Sequence, residues 1–597
     1  MRGDRYRRAD HNLGNKPMSD NLDPVTLEVI RNAFPAIANE MAADLQRTSY
    51  NMMIYEVRDF CTAIVKPDGE LVSQNVGGVS HFVADLGVII TDGFEKTGDQ
   101  GFSPEDVIIT NHQKVAGQHL NNIVIYMPFF FKGELMFFTM VRAHWIDVGG
   151  MSTGFGGGAG VTDPWMEGLQ LDQLKIYERG VRNETLYKII RDNIRFPESS
   201  LGDMRSQMAA CRLATRRLEE LFEKFGSDTI HSALDQVFDE TEQKCRNVVL
   251  QIPDGVYEAE SCLNDDGVQI GEPVRVHAKV TVKGSDMEID LSGCSDERKS
   301  GVNSRTYAGA RVAYKALTAP TEPVNEGSFR ALSVVIPEGN IMMARYPAPM
   351  GMWSMVVPTV VDTIVKALAP GMKDNVPAGH FGILGGPVVF TGTHPKTKRR
   401  FIVQSIEGGG WGGRPFEDGE SATVSVCQGD VRNATIEGIE LKCPVMIESR
   451  RLRADSGGPG KYRGGFGMET TVRNFVEGDW ICEPPKRGDK CPAWGLWGGK
   501  AGAIGGYHMR QPGESDFTLV ETARHTVPEE TQVIVRTGGG GGWGDPLERE
   551  AELVRSDVTQ GLVSVAGARE HYGVVIGAKS LELDADATET LRAEMKK

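Results

Sequence analysis

Residues 111–150 read NHQKVAGQHL NNIVIYMPFF FKGELMFFTM VRAHWIDVGG, and their pattern decides how the chain folds. Two apolar runs rich in Val, Ile and Phe, bounded by Gly and Pro, predict two buried strands. Lys132-Gly133-Glu134 between them predicts a hairpin turn. Pairing the strands brings His119, at the mouth of the first, towards His144, at the end of the second. Asp147 follows His144 closely, and Asp59 opens another apolar run, DFCTAIV. Two imidazoles with carboxylates nearby can form a metal or acid/base site. The plainer alternative is two buried histidines satisfied by hydrogen bonds. A carboxylate beside such strands is costly unless it is paired or metal-bound.

Working outward, the chain continues to predict alternating local structure. Asp23-Pro24 is an N-cap followed by Pro at the first helical position. Leu27, Ile30, Phe34, Ile37, Met41 and Leu45 give that helix one apolar face, with Pro35 expected to kink it. Residues 59–74 alternate around a Pro-Asp-Gly turn and predict a hairpin. Residues 81–95 and 168–225 are expected to be helical, the latter with a basic side at Arg212, Arg216 and Arg217. The period falls to two over 256–291, a β-rich module. Helical segments return near 305–318 and 356–369, and strands with glycine loops dominate 375–545. Gly154–Gly160 is a glycine patch expected to be a loop beside the site.

The expected fold class is mixed α+β and multidomain, with large, mostly antiparallel sheets, flanking helices and glycine-rich loops. The expected division is a disordered extension (1–22), an α+β domain carrying the histidines (23–250), a β-rich module (251–300), a glycine-loop domain (301–545) and a tail (546–597). Length alone, 597 residues, requires several domains.

Composition narrows the function. The 71 glycines, about 12% of the chain, exceed the usual ~7% and fall in clusters without a fixed period. A net charge of −16 argues against nucleic acid or an anionic membrane as partner. Nine scattered cysteines without a CxxC pair suit reduced thiols in a cytoplasmic protein. The N-terminus lacks a secretory core, and no apolar run is long enough to span a bilayer. GGPGKY at 457–462 lacks the Walker A spacing, and neither GxSxG nor a kinase signature occurs, so nucleotide chemistry must come from another chain. Backbone amides of Gly408, Gly409 and Gly410 are candidates for binding an anionic group.

Several stretches taken in order carry a family resemblance. They are DPVTLEVIRN (23–32), RDFCTAIVKPDGELVSQ (58–74), GQHLNN (117–122), RAHWIDVGG (142–150), GDMRSQMAACRLATRRL (202–218), GVNS (301–304), GGGWGGRP (408–415), LRADSGGPGKYRGGFG (452–467) and GGGGGWGDPLER (538–549). Together they resemble the hydantoinase B/oxoprolinase family across residues 23–575. The resemblance implies a two-step ATP-dependent enzyme. A hydantoinase A-like partner with ATP and Mg phosphorylates a carbonyl oxygen, and the B-type chain processes the activated intermediate. It also implies metal ligands at Asp59, His119 and His144 for Mn, Zn or Fe, with Asn122 standing where the family has Asp. Losing that charge weakens a divalent-cation site. Hydrolysis profits from metal-bound hydroxide, whereas carboxylation of an enol phosphate needs a water-poor pocket. The sequence therefore leans to carboxylation of an apolar ketone of the acetophenone type with bicarbonate, with further small subunits in the complex. Hydrolysis of a hydantoin, 5-oxoproline or lactam is the alternative, and a non-catalytic scaffold a further one. The roles expected are acid/base or metal work for His119 and His144, and orientation of His144 by Asp147.

Overall fold

The computed structural model describes residues 22–97, 101–154, 160–373, 375–383, 386–482, 490–520 and 523–597. Residues 1–21 of the expected extension and 155–159 of the glycine patch lie outside the described residues. Seven strands form the sheet that positions the histidines. These are β1 (Phe60–Val65), β2 (Leu71–Gln74), β3 (Val107–Thr110), β4 (Asn122–Phe131), β5 (Glu134–His144), β6 (Leu174–Glu178) and β7 (Val181–Arg182). Their order is β2-β1-β5-β4-β3-β6-β7, with every neighbour antiparallel. The hairpin expected at Lys132-Gly133 joins β4 to β5, with Lys132 and Gly133 both at positive φ.

Strand alternation sorts the sheet's side chains into two layers. Phe60, Ile64, Ile123, Ile125, Phe129, Phe137, Val141 and Ala143 join the core under the helices Pro24–Thr48 and Pro197–Phe225. The first helix is capped as its sequence requires, Asp23 accepting from the Thr26 amide. It continues through Pro35 and buries all six residues of the expected stripe. Cys61, Ala63, Val124, Tyr126, Phe138 and Met140 face the opposite core, which runs from Met52 to Val535 and so ties this sheet to the rest of the chain. Short helices at Ser80–Val83 and Leu86–Thr97 cover that side.

Three further sheets follow. Gly255–Leu263, Val274–Lys283 and Asp286–Asp290 are antiparallel, with Leu332–Val335 added in parallel at the edge. The sheet of Gly386–Thr393, Arg400–Glu407, Gly478–Cys482 and Ala523–Val527 and the five-stranded sheet built around Met468–Asn474 are antiparallel. The tail forms three helices, of which the first two and the segments after them pack on Phe466. Arg549 anchors it through Asp418 and Asp557.

Two expectations need correction. Residues 168–225 are not helical throughout, because β6 and β7 form an edge hairpin closed by Arg179-Gly180, both at positive φ. Nor do all nine cysteines stay unpaired. Cys262 and Cys491 form a disulfide across 229 residues, while the other seven are buried thiols.

Candidate active site

Register puts the site residues on one face of the sheet. Asn122 pairs with His144 across β4 and β5, Val124 with Arg142, and Cys61 of β1 with the other side of Arg142. The His144 amide donates to the Asp59 carbonyl at 3.1 Å, so Asp59 lies just beyond the end of β1 beside His144. His119 arrives from the preceding loop through a turn in which the Asn122 amide donates to the His119 carbonyl. Gly117 fixes that loop. Its amide and carbonyl pair with Arg305, and a Cβ there would sit 2.4 Å from Met350 Sδ and 2.5 Å from Arg305 Cβ. Only glycine allows this approach.

The two imidazoles meet edge to face, ring centroids 4.9 Å apart, at 6% and 1% exposure. Trp353 lies 6.1 Å from His119 and 4.7 Å from His81, whose ring forms the next layer. Burial lowers the pKa of His119 to about 4, against a smaller upward pull from the Asn122 hydrogen bond. His144 is held well below 6.5 by burial and then by His119, and His81 falls to about 3 by burial. All three rings are therefore neutral at physiological pH. Asp59, buried, is pushed up to about 7 by desolvation.

Asn122 bears on the protonation of His119. Its Oδ1 lies 3.0 Å from His119 Nε2, and its Nδ2 donates to Gln118 Oε1 at 2.8 Å. An amide oxygen only accepts, so this contact favours a proton on Nε2, while the backbone at Gly351 also engages the ring. With the proton there, that end of the ring offers no lone pair to a metal. Among the described residues no group of three or more His, Cys, Asp and Glu side chains converges as a metal set. The donor set carried over from the family, Asp59 with His119 and His144, thus does not fit a resident ion here.

Asp147 has a different setting from the one expected. Its Oδ1 accepts from the Gly149 and Arg195 amides, and its Oδ2 from the Gly154 amide and Arg195 Nη1. Arg195 also reaches the carbonyls of Gly149, Gly150 and Ser152. Asp147 therefore braces the loop that leaves the site, rather than the His144 ring. Gly409 and Gly410 differ too. Their amides donate to the Thr423 and Gly538 carbonyls, and a Cβ on Gly410 would lie 1.9 Å from the Gly465 carbonyl oxygen. These glycines belong to a layer of extended segments packed backbone against backbone, not to an anion cradle.

Three residues are not singled out by the sequence. Glu167, fully buried with its pKa raised to about 8 by desolvation, accepts from Gln113 Nε2 and the Met350 amide, clamping the His119 loop. His81 donates Nδ1–H to the Cys427 carbonyl at 2.7 Å. Arg142 lies over the Phe82 ring at 5.3 Å, 2% exposed. Its place two residues before His144 on a strand is the one signal that could have found it.

Comparison with known proteins agrees with this frame. The sequence profile of the Hydantoinase B/oxoprolinase family matches residues 23–546. The chain belongs to that family. It is 30% identical, over 96% of its own length and 98% of the relative's, to a Pseudomonas sp. (strain NS671) chain provisionally named as the B component of a D-/L-hydantoinase. The crystal structure of an ATP-dependent caprolactamase from Pseudomonas jessenii superposes with a TM-score of 0.89 at 26% identity, covering 96% of this chain and all of that one. A nucleotide-free acetone carboxylase shares the fold at 19% identity, with a TM-score of 0.86 over 96% of this chain and 83% of that one. No helix among the described residues is long and apolar enough to cross a membrane.

Proposed function

We propose that this chain is the B-type component of an ATP-dependent enzyme that opens a cyclic amide after a hydantoinase A-like partner, using ATP and Mg, has phosphorylated its carbonyl oxygen. The observation that carries the reading is the His119–His144 pair, two neutral imidazoles in contact in a buried site of a family member. End-to-end similarity to a hydantoinase component and a caprolactamase supports cyclic amides as the substrate class.

A neutral imidazole is the competent form of a general base. As water adds to the activated carbon, the pair takes its two protons in turn and passes both to the ring nitrogen, which leaves as an amine when the C–N bond breaks. A second water converts the remaining acyl phosphate to carboxylate and phosphate. Asn122 favours one tautomer of His119, and Asp147 with Arg195 braces the loop that leaves the site. His119 and His144 act on substrate, while Asp59 sets the polarity beside them.

One observation favours a second reading, carboxylation of an apolar ketone of the acetophenone type. Asn122 replaces a carboxylate, and no metal donor set converges among the described residues, so the site lacks the usual source of hydroxide. A dry pocket protects an enol phosphate until its carbon is carboxylated and phosphate leaves. The test is the complex reconstituted with its partner and given ATP. Ring-opened product from hydantoin, 5-oxoproline or caprolactam supports the first reading. Incorporation of labelled bicarbonate into acetophenone, without amide opening, replaces it with the second. ATP-independent or absent turnover of all four substrates contradicts both.

A further inference from the structure

Arg142 is a charge without a counter-charge. Its Nε and Nη1 are buried and meet no hydrogen-bond partner on the protein, and no carboxylate among the described residues lies within ion-pairing distance. The groups that sense its charge are poor partners. Asp85 commits Oδ2 to Thr306 Oγ1 at 2.7 Å, and its burial favours the neutral acid. Cys61, directly across the strand, is a thiol, and His81 and His119 are neutral. Removing a guanidinium from water without replacing its partners is costly, and folded chains seldom do so without a use for the charge.

Position suggests that use. Arg142 and His144 are alternate residues of β5 and share a face, about 7 Å apart along the strand. Phe82 lies over the guanidinium and holds its plane, so its N–H groups are not turned toward that ring. Each two-donor edge of a guanidinium, Nε–Nη2 and Nη1–Nη2, here includes one of these unpaired donors, and such an edge matches the oxygens of phosphate or carboxylate.

We propose that the guanidinium of Arg142 is a subsite for a small oxyanion next to the His119–His144 pair. The anion is the phosphoryl group of the activated substrate or a bicarbonate. The identity of the anion rests on the functional reading above, but its binding needs neither the partner chain nor ATP.

The experiment is titration calorimetry of the full-length chain with inorganic phosphate and, separately, bicarbonate, at fixed ionic strength. It compares wild type, Arg142→Met and Arg142→Lys, with thermal melts alongside. Wild type is expected to bind at least one of the two anions at one saturable site and to melt at higher temperature in its presence. Arg142→Met should bind at least tenfold more weakly and lose the anion-dependent rise. Arg142→Lys should fall between, since an ammonium keeps the charge and loses the fork. Phosphate binding alone assigns the site to a phosphoryl group, and bicarbonate binding alone assigns it to the carboxylation chemistry. Wild type binding neither anion overturns the proposal, as does a folded Arg142→Met with wild-type affinity. If Arg142→Met fails to fold, Arg142→Lys decides, and wild-type affinity in that variant overturns the proposal. Failed turnover in the reconstituted complex would leave these binding results intact, so the two readings fail separately.

Discussion

Replacing Asp59 by Asn tests whether the site is as dry as its packing implies. Burial pushes the Asp59 pKa from 3.8 up to about 7. Each unit corresponds to ~1.4 kcal/mol, so the ionised carboxylate opposes folding by at most ~4 kcal/mol. The sign follows from proton counting. Below pH 3.8 the group is protonated in both states and contributes nothing. Between about pH 4 and pH 7 the unfolded chain gives up the proton while the folded chain keeps it, so stability falls as pH rises. Above about pH 7 the penalty is constant. Asn mimics the protonated acid at every pH, so Asp59→Asn should match wild type near pH 4 and exceed it by up to ~4 kcal/mol at pH 7.5. The buried histidines have lowered pKa values and act the opposite way, costing stability as pH falls below 6.5. They are present in both proteins and cancel in the difference. Paired thermal melts at pH 4.5, 6 and 7.5 read the gap. A gap that does not widen with pH, or a variant less stable than wild type at pH 7.5, would show Asp59 ionised and partnered, and the reasoning would be wrong.

Two further substitutions probe the supports of the site. Arg195→Ala leaves the buried Asp147 carboxylate without its cation, at a cost on the order of 3 kcal/mol; hydrogen exchange should accelerate at Gly149–Gly154, and unchanged exchange there would remove Asp147 from the loop. Gly410→Ala puts a methyl 1.9 Å from the Gly465 carbonyl oxygen and should abolish soluble folded protein, whereas Gly513→Ala, at φ +89° in open space, should cost only ~1 kcal/mol. Equal melting temperatures for the two glycine variants would contradict the packed-glycine layer.

Much of this was legible in the sequence, for local reasons. The apolar runs flanking Lys132-Gly133 form β4 and β5 because a period of two and a tight turn are properties of neighbouring residues, and pairing them brings His119 and His144 into contact. The Pro24–Thr48 helix shows its cap and stripe for the same reason. What stays hidden depends on distant segments. Cys262 finds Cys491 across 229 residues, and the Gly410 amide meets Gly538, contacts no spacing rule encodes. Asp147 finds Arg195 rather than His144 because Arg195 returns on the connection to another helix. The β6–β7 hairpin reads as helix because its charged edge residues obscure the alternation around Arg179-Gly180. Arg142 was readable, being two residues from His144 on a strand, but nothing in the sequence says that its charge lacks a partner.

The most direct measurement is turnover by the complex reconstituted with its partner, with His119→Ala and His144→Ala as the variants and ADP release followed beside ring-opened or carboxylated product. The imidazole pair predicts that each variant assembles and still supports ATP cleavage by the partner, while product formation falls at least a hundredfold. Product formation at the wild-type rate in either variant, with assembly intact, would contradict it.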